Sequence, residues 1–271
     1  MSTGATKTIM GISFVRVITS SILAVLSPFT SLDAQTGAPA KSTPRPRVVI
    51  VELFTSEGCS SCPPADILLK KINGRQTAAG QLIVGISEHV TYWNSLGWSD
   101  PFSSQIYTDR QNAYGAHFGL DSVYTPQMVV NGSEQFVGSD GGHLTQALRK
   151  EQDQHSTVDL QILSTSITDR ILTVNFSASS DNSPPDADLI VVLTDDMDQS
   201  SVLNGENSGR TLTHVSVARS ISRLAGLQIA TGQKVRITLP DSIRAPQGHH
   251  VILFAQLHDG GRILSADSEP L

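Results

Sequence analysis

The apolar positions of residues 48–54, VVIVELF, run almost unbroken and favour β-branched side chains, which predicts a strand covered on both faces. Behind Pro63 and Pro64, which suit the first turn of a helix, Ala65, Leu68, Leu69 and Ile72 recur at helical spacing. QLIVGIS, residues 81–87, repeats the buried-strand pattern. Strand, helix, strand in that order predicts a right-handed parallel crossover. Asp100-Pro101 then reads as an N-cap and first-turn proline, with Phe102, Ile106 and Tyr107 as the apolar face of a second helix that ends near Gly115–Gly119. PQMVVNGSEQFVG reads as a hairpin turning at Asn131-Gly132, and Asp140 as the cap of a last helix through Leu144 and Leu148.

From about residue 156 the period changes to two. VDLQI and ILTVNFS alternate around Thr168-Asp169-Arg170, and DLIVVLT, QKVRITL and HHVILFAQLHDGGRILSA supply further strands, the last turning at Asp259-Gly260-Gly261. These patterns predict two domains: an α/β domain over residues 48–154 and a mostly β C-terminal domain, a small sandwich, over 155–271.

The first residues carry a different pattern. Lys7 and Arg16 precede VITSSILAVLSPF, an apolar stretch short and serine-rich for a membrane span, so residues 1–34 read as an export signal cut after Ala34, with an uncleaved anchor as the alternative. Residues 35–47, QTGAPAKSTPRPR, read as a flexible linker. A periplasmic or secreted protein follows, without stable membrane insertion after cleavage, in a compartment where a cysteine pair can stay oxidised.

A formal charge of −6 with no basic stripe argues against a nucleic-acid partner, which needs clustered Lys and Arg. No P-loop, G-x-G-x-x-G or G-x-S-x-G elbow appears, which sets nucleotide and hydrolase chemistry aside. Asp195, Asp196 and Asp198 lack the glycine and downstream glutamate of a calcium loop, and the adjacent His249 and His250 point to opposite faces of a strand. No cofactor is expected and no metal site is assigned.

The chemistry gathers at FTSEGCSSCPPAD, residues 54–66, which holds both cysteines of the 271-residue chain. A thiol–disulfide centre needs one exposed cysteine whose thiolate is stabilised, as at a helix N-terminus, and a second within reach. Cys59 is the candidate nucleophile and Cys62 the resolving thiol. A structural clip competes, although a loop of only two residues constrains the unfolded chain little. A zinc or copper site is the third reading and would have to recruit His89 or His117.

With its strand, CSSC and helix in this order, the segment from residue 48 to about 150 resembles a thioredoxin fold. The resemblance implies an α/β thioredoxin-like fold followed by the mostly β C-terminal domain, a cis peptide at Thr125-Pro126 in VYTPQMVVNG, and a substrate groove bordered by Thr125 and Pro126. Gly58 stands where thioredoxins carry a tryptophan. Glu52 is an approximate counterpart of their buried acid, one residue out of the expected spacing, and a paired or exposed strand-end glutamate is an equal reading. More narrowly, VELFTSEGCSSCPPAD, SEHVTYWNSLGW, YTPQMVVNG and GENSGRTL are similar to a family of exported bacterial proteins catalogued as a domain of unknown function, over Val48 to Leu264. His89, as a thiolate-stabilising group, and Trp93, as a substrate wall, are further substrate-site candidates. Glu206 and Arg210 read chiefly as a solvated ion pair on a β loop.

Two functions of different class follow. One is an exported thiol–disulfide oxidoreductase acting on a protein or small-molecule thiol or disulfide; the other is a non-catalytic binding module, a metal handler or scaffold, that uses CSSC as ligand or clip.

Overall fold

The buried run at 48–54 forms the centre of a large sheet. Residues 45–181, 186–224, 226–258 and 260–271 are described by the computed structural model. The expected export signal, most of the expected linker and Asp259 of the last turn lie outside the described residues. The linker residues that are described are tied down: Arg45 pairs with Asp267 at 3.2 Å and Arg47 with Glu151 at 3.3 Å.

Strand β1 (Val48–Thr55) is buried at every position and lies parallel to β2 (Leu82–His89), joined by helix α1 (Pro63–Ile72). Helix α2 (Gln105–His117) follows, then the hairpin β3 (Gln127–Val130) and β4 (Glu134–Val137), and helix α3 (Gly141–Gln152). The hairpin turns through Asn131 and Gly132, both at positive φ; a Cβ on Gly132 would sit 2.4 Å from the Gly261 carbonyl, so only glycine fits there. Asn131 accepts from the Ile50 N–H at 2.8 Å and donates to Glu151 at 2.7 Å, tying the turn to β1 and α3.

The remaining strands are β5 (Val158–Thr168), β6 (Ile171–Ser180), β7 (Ala187–Ser201), β8 (Thr211–Leu224), β9 (Ala230–Thr238), β10 (His249–Leu257) and β11 (Ile263–Pro270). Four of them extend the first sheet, whose order is β11-β10-β7-β8-β2-β1-β3-β4. The junction is a parallel pairing of β8 with β2 at Ser87 and Val217, reinforced by the Ser216 hydroxyl on the Gly85 carbonyl at 2.5 Å and the Tyr107 hydroxyl on the Ala218 carbonyl at 2.6 Å. Strands β5, β6 and β9 make a second, three-stranded sheet.

Side chains alternate across the large sheet and sort the layers. Val49, Val51, Leu53 and Ile83 pack with Leu69 of α1 and Leu144 of α3, while Val191, Leu193, Val251 and Leu253 pack with the second sheet through Ile162, Leu172 and Phe176. On the other face Ile50, Ile86, Val192 and Phe254 pack with Tyr107 of α2.

This architecture overturns the expected fold class. Among the described residues, eleven strands against three α-helices, with one mixed eight-stranded sheet running through both halves, make a predominantly β fold and not an α/β thioredoxin-like fold followed by a mostly β C-terminal domain. The local strand-helix-strand order at 48–89 is present, but the expected boundary at 154/155 separates no independent sheets, and Pro44–Leu271 forms one compact unit. Helix α2 also starts later than Asp100-Pro101 suggests, at Ser104, because the Asp100 carboxylate is engaged elsewhere.

Candidate dithiol site

Cys59 and Cys62 are joined as a disulfide, with Cα atoms 5.5 Å apart. Cys62 occupies the N-cap of α1, and Pro63 and Pro64 fill the first helical positions, where a missing N–H costs no helical bond. Cys59 sits three residues earlier in the turn, its N–H donating to the Ser56 carbonyl at 3.1 Å and its Sγ 3.3 Å from the Ser61 hydroxyl. The helix terminus is thus capped by Cys62 rather than by Cys59.

The expectation that Cys59 is exposed fails. Both cysteines are 0% exposed while Ser60 and Ser61 face solvent. Lying across the turn is the β7–β8 loop, residues 202–210. The Asn207 side chain, itself 0% exposed, donates to the carbonyls of Glu57 and Cys59, both at 2.9 Å. Arg210 holds Asn207 by donating to its Oδ1 at 2.8 Å. The Ser60 N–H donates to the Glu206 carboxylate at 2.9 Å, and hydrogen bonding from Ser60 holds the Glu206 carboxyl below its ordinary range. Glu206 and Arg210 are therefore part of the dithiol site and not a detached ion pair.

Behind the disulfide lies a buried ionic cluster. Glu57, two residues before Cys59, and Asp66, four after Cys62, bracket His214 of β8: His214 Nε2 is 3.3 Å from Glu57 and Nδ1 is 3.6 Å from Asp66. Burial opposes a charge on His214, but the carboxylates of Asp66 and Glu57 beside it prevail and lift its pKa to about 10. Burial likewise opposes ionisation of Glu57, and His214, Ser200 and Trp98, all bonded to its carboxylate, hold its pKa below the ordinary value. Edge-on to His214 at 4.6 Å stands His89, whose Nδ1 is 2.7 Å from Asp100. Asp100 also accepts the Glu57 N–H at 2.8 Å, and its pKa is lowered: burial works against the charge, and His89 with two backbone donors outweighs it.

The sequence-predicted residues are distributed as follows. Thr125-Pro126 is a cis peptide, and Pro126 and Ala65 of α1 converge on Gly138, where a Cβ would meet them at 3.1 and 3.2 Å. Trp93 donates to the Thr125 hydroxyl at 2.8 Å, and a side chain at Gly58 would press on Trp93 at 3.1 Å, so the small residue beside Cys59 lets the tryptophan loop close in. His89 is enclosed in the ionic cluster rather than lining an open groove. Glu52 lies on the opposite face of the sheet with Arg110 and Tyr114, at 2.5 Å from each, so the paired reading describes it. Glu57, Asp66, Asn207 and His214 had no assigned role, and Asp100 was expected only as a helix cap; Glu57 and Asp66 stand inside the FTSEGCSSCPPAD stretch, and Asn207 inside GENSGRTL. Among the described residues no group of three or more His, Cys, Asp or Glu is arranged to hold a metal ion.

No curated protein matches the chain. Among solved structures, protein AGR_C_4864 from Agrobacterium tumefaciens is similar at 27% identity and a TM-score of 0.59, over 81% of this chain and 92% of that one. HBP35 of Porphyromonas gingivalis is similar at 15% identity and a TM-score of 0.62, over 83% of this chain and 76% of that one, a likeness of fold alone. Residues 50–256 match the family described as protein of unknown function, DUF1223, and the chain belongs to that family.

Proposed function

We propose that the protein is an exported thiol–disulfide oxidoreductase, periplasmic or secreted, that exchanges electrons through Cys59 and Cys62 with a protein or small-molecule thiol or disulfide. The observation that carries the reading is the two-residue disulfide at the start of α1, backed by a buried cluster of carboxylates and histidines. A clip of this length adds little chain-entropy stabilisation, whereas its position at a helix terminus favours a thiolate.

In the oxidised form a substrate thiolate attacks Sγ of Cys59. The Cys59–Cys62 bond breaks, its electron pair leaves on Sγ of Cys62, and that sulfur takes up a proton. The substrate's second thiolate then attacks its own sulfur in the mixed disulfide and releases Cys59 as a thiolate, to which the Ser61 hydroxyl at 3.3 Å can donate. The substrate dithiol has lost two electrons and the protein pair has gained them; the reverse sequence reduces a substrate disulfide, and a second thiol or disulfide partner resets the pair.

The burial of both cysteines favours a second reading, a non-catalytic module in which the disulfide is only a clip. Two measurements decide. Under the first reading Cys62→Ser collects mixed disulfides in cells, and the wild-type pair equilibrates with glutathione or dithiothreitol buffers at a potential above about −300 mV. A pair that stays oxidised below that value and a variant that traps nothing leave only the clip.

A further inference from the structure

We propose that the β7–β8 loop, residues 202–210, is an intramolecular gate on the Cys59–Cys62 disulfide, latched by Asn207 and Glu206 and lifted when a partner thiol reacts. This rests on the dithiol reading above and concerns the regulation of the same site. Exchange requires an attacking sulfur to approach Sγ of Cys59 along the S–S axis, and in the closed structure neither cysteine has exposed surface.

The loop has the construction of a flap. It is internally braced, with Val202 and Arg210 bonded across its neck at 2.9 Å, Gly209 N–H on the Val202 carbonyl at 2.8 Å, and the Ser208 hydroxyl on the Leu203 carbonyl at 2.8 Å. It therefore has the means to move as one piece on the ends of β7 and β8. Gly205 and Gly209 both stand at positive φ, and Gly205 lets the loop seat against Trp98, whose Cβ would be 3.1 Å from an added side chain.

Its hold on the dithiol turn consists of three side-chain hydrogen bonds: two from Asn207, to Glu57 and Cys59, and one accepted by Glu206 from Ser60. The Ser60 N–H is the outward donor of the CSSC turn, and any acceptor on an incoming substrate competes with Glu206 for it. Elsewhere on the loop Leu203 stands in solvent at 69% exposure. A latch of three hydrogen bonds belongs to the low-cost end of local opening, so the closed form can protect the pair without inactivating it.

The test is the second-order rate of disulfide reduction by dithiothreitol in the intact protein, followed by quenching and thiol alkylation. Asn207→Ala, which removes two of the three bonds, is expected to raise the rate about ten-fold, and Glu206→Ala about two- to three-fold. The equilibrium with dithiothreitol should change less than about two-fold, since the gate closes over oxidised and reduced forms alike. Glu206 is exposed, so its variant keeps the test alive where Asn207→Ala fails to fold. If no folded variant reacts faster than wild type by more than about 1.5-fold, the gate is overturned and the enclosure belongs to the fixed walls of the site. The rate is read with a small reagent and needs no physiological substrate. A gated pair that traps no partner in Cys62→Ser sinks the oxidoreductase reading and keeps the gate; an ungated pair that traps partners does the reverse.

Discussion

Two buried ionic clusters flank the central strands β1 and β2, one on each face of the sheet, and they differ in what they enclose. On the α2 face, Arg110 is ringed by Glu52 at 2.5 Å, Glu88 at 3.6 Å, the Tyr114 hydroxyl at 3.1 Å and Gln256 at 3.0 Å. Burial and the neighbouring Glu52 push the Glu88 carboxyl far above its ordinary range. That cluster joins α2, β1, β2 and β10 and closes on itself. On the α1 face Glu57, Asp66, Asp100, His89 and His214 lie beneath the turn of the disulfide, and their partners come from the cysteine-bearing segment, from β2 and the loop after it, and from β7 and β8. Equal burial therefore does not imply equal surroundings: one cluster locks elements together, while the other lies beneath the disulfide, whose field it would set under the proposed function.

The largest effect separates them most sharply. Arg110→Ala strands the Glu52 carboxylate in a buried site, and the unfolding free energy from urea titration should fall by about 3–5 kcal/mol. The reduction potential of the Cys59–Cys62 pair should stay where it is, because Glu52 and Glu88 point away from the disulfide. A potential that moves with Arg110→Ala would break the independence of the two faces.

His214→Gln tests the other side, and its signature is in the pH dependence. With an unfolded pKa near 6.5 and a folded pKa of about 10, the imidazole is protonated in both states at low pH, and its contribution is complete there. As pH rises from about 6.5 the unfolded chain releases the proton while the folded protein retains it, so the contribution declines and is lost as pH passes through about 10. Wild type should exceed the variant by about 2–3 kcal/mol at pH 6, the value of hydrogen bonds to charged groups, and the gap should narrow steadily toward pH 10. Unlike Arg110→Ala, this variant should also shift the potential of the dithiol. Glu57 and Asp100 act in the opposite direction: their lowered pKa values add stability that is present above about pH 4 and lost as the pH falls below it.

The sequence disclosed the parts of this site that are local in the chain. The buried runs of β1 and β2, the proline-led start of α1, the Asn131-Gly132 turn and the Asp140 cap follow from patterns a few residues long. What it concealed was β8. In TLTHVSVARSIS the inward positions 212, 214 and 216 carry Leu, His and Ser, so polar side chains occupy the buried face and no hydrophobic alternation marks the strand. That strand joins the two halves through a parallel pairing with β2, a contact with no signature in the intervening residues. Missing it hid two things: that one sheet draws strands from both halves, and that the GENSGRTL loop, the hairpin end of β8, lies on the dithiol rather than free in solvent. Glu52 went astray for a simpler reason. In a strand, one residue of offset reverses the face, and the buried acid one place out of register points to α2 instead of to the cysteines.

The smallest expected effect sharpens the comparison from a third position. Asp140 caps α3, its carboxylate accepting the His143 N–H at 2.9 Å, and Asp140→Ala should cost about 1 kcal/mol. Helix α3 packs through Leu144 into the same apolar layer as Leu69 of α1, the helix that carries the dithiol, yet it touches neither ionic cluster through this cap. If the site is governed by local geometry and charge, Asp140→Ala lowers the urea midpoint while the reduction rate by dithiothreitol, the potential and the pH slope between 6 and 10 all match wild type. If instead the reduction rate rises in step with the lost stability, opening of the disulfide is coupled to unfolding of the whole α1 layer, and the distinction between a locking cluster and a working one collapses into global stability.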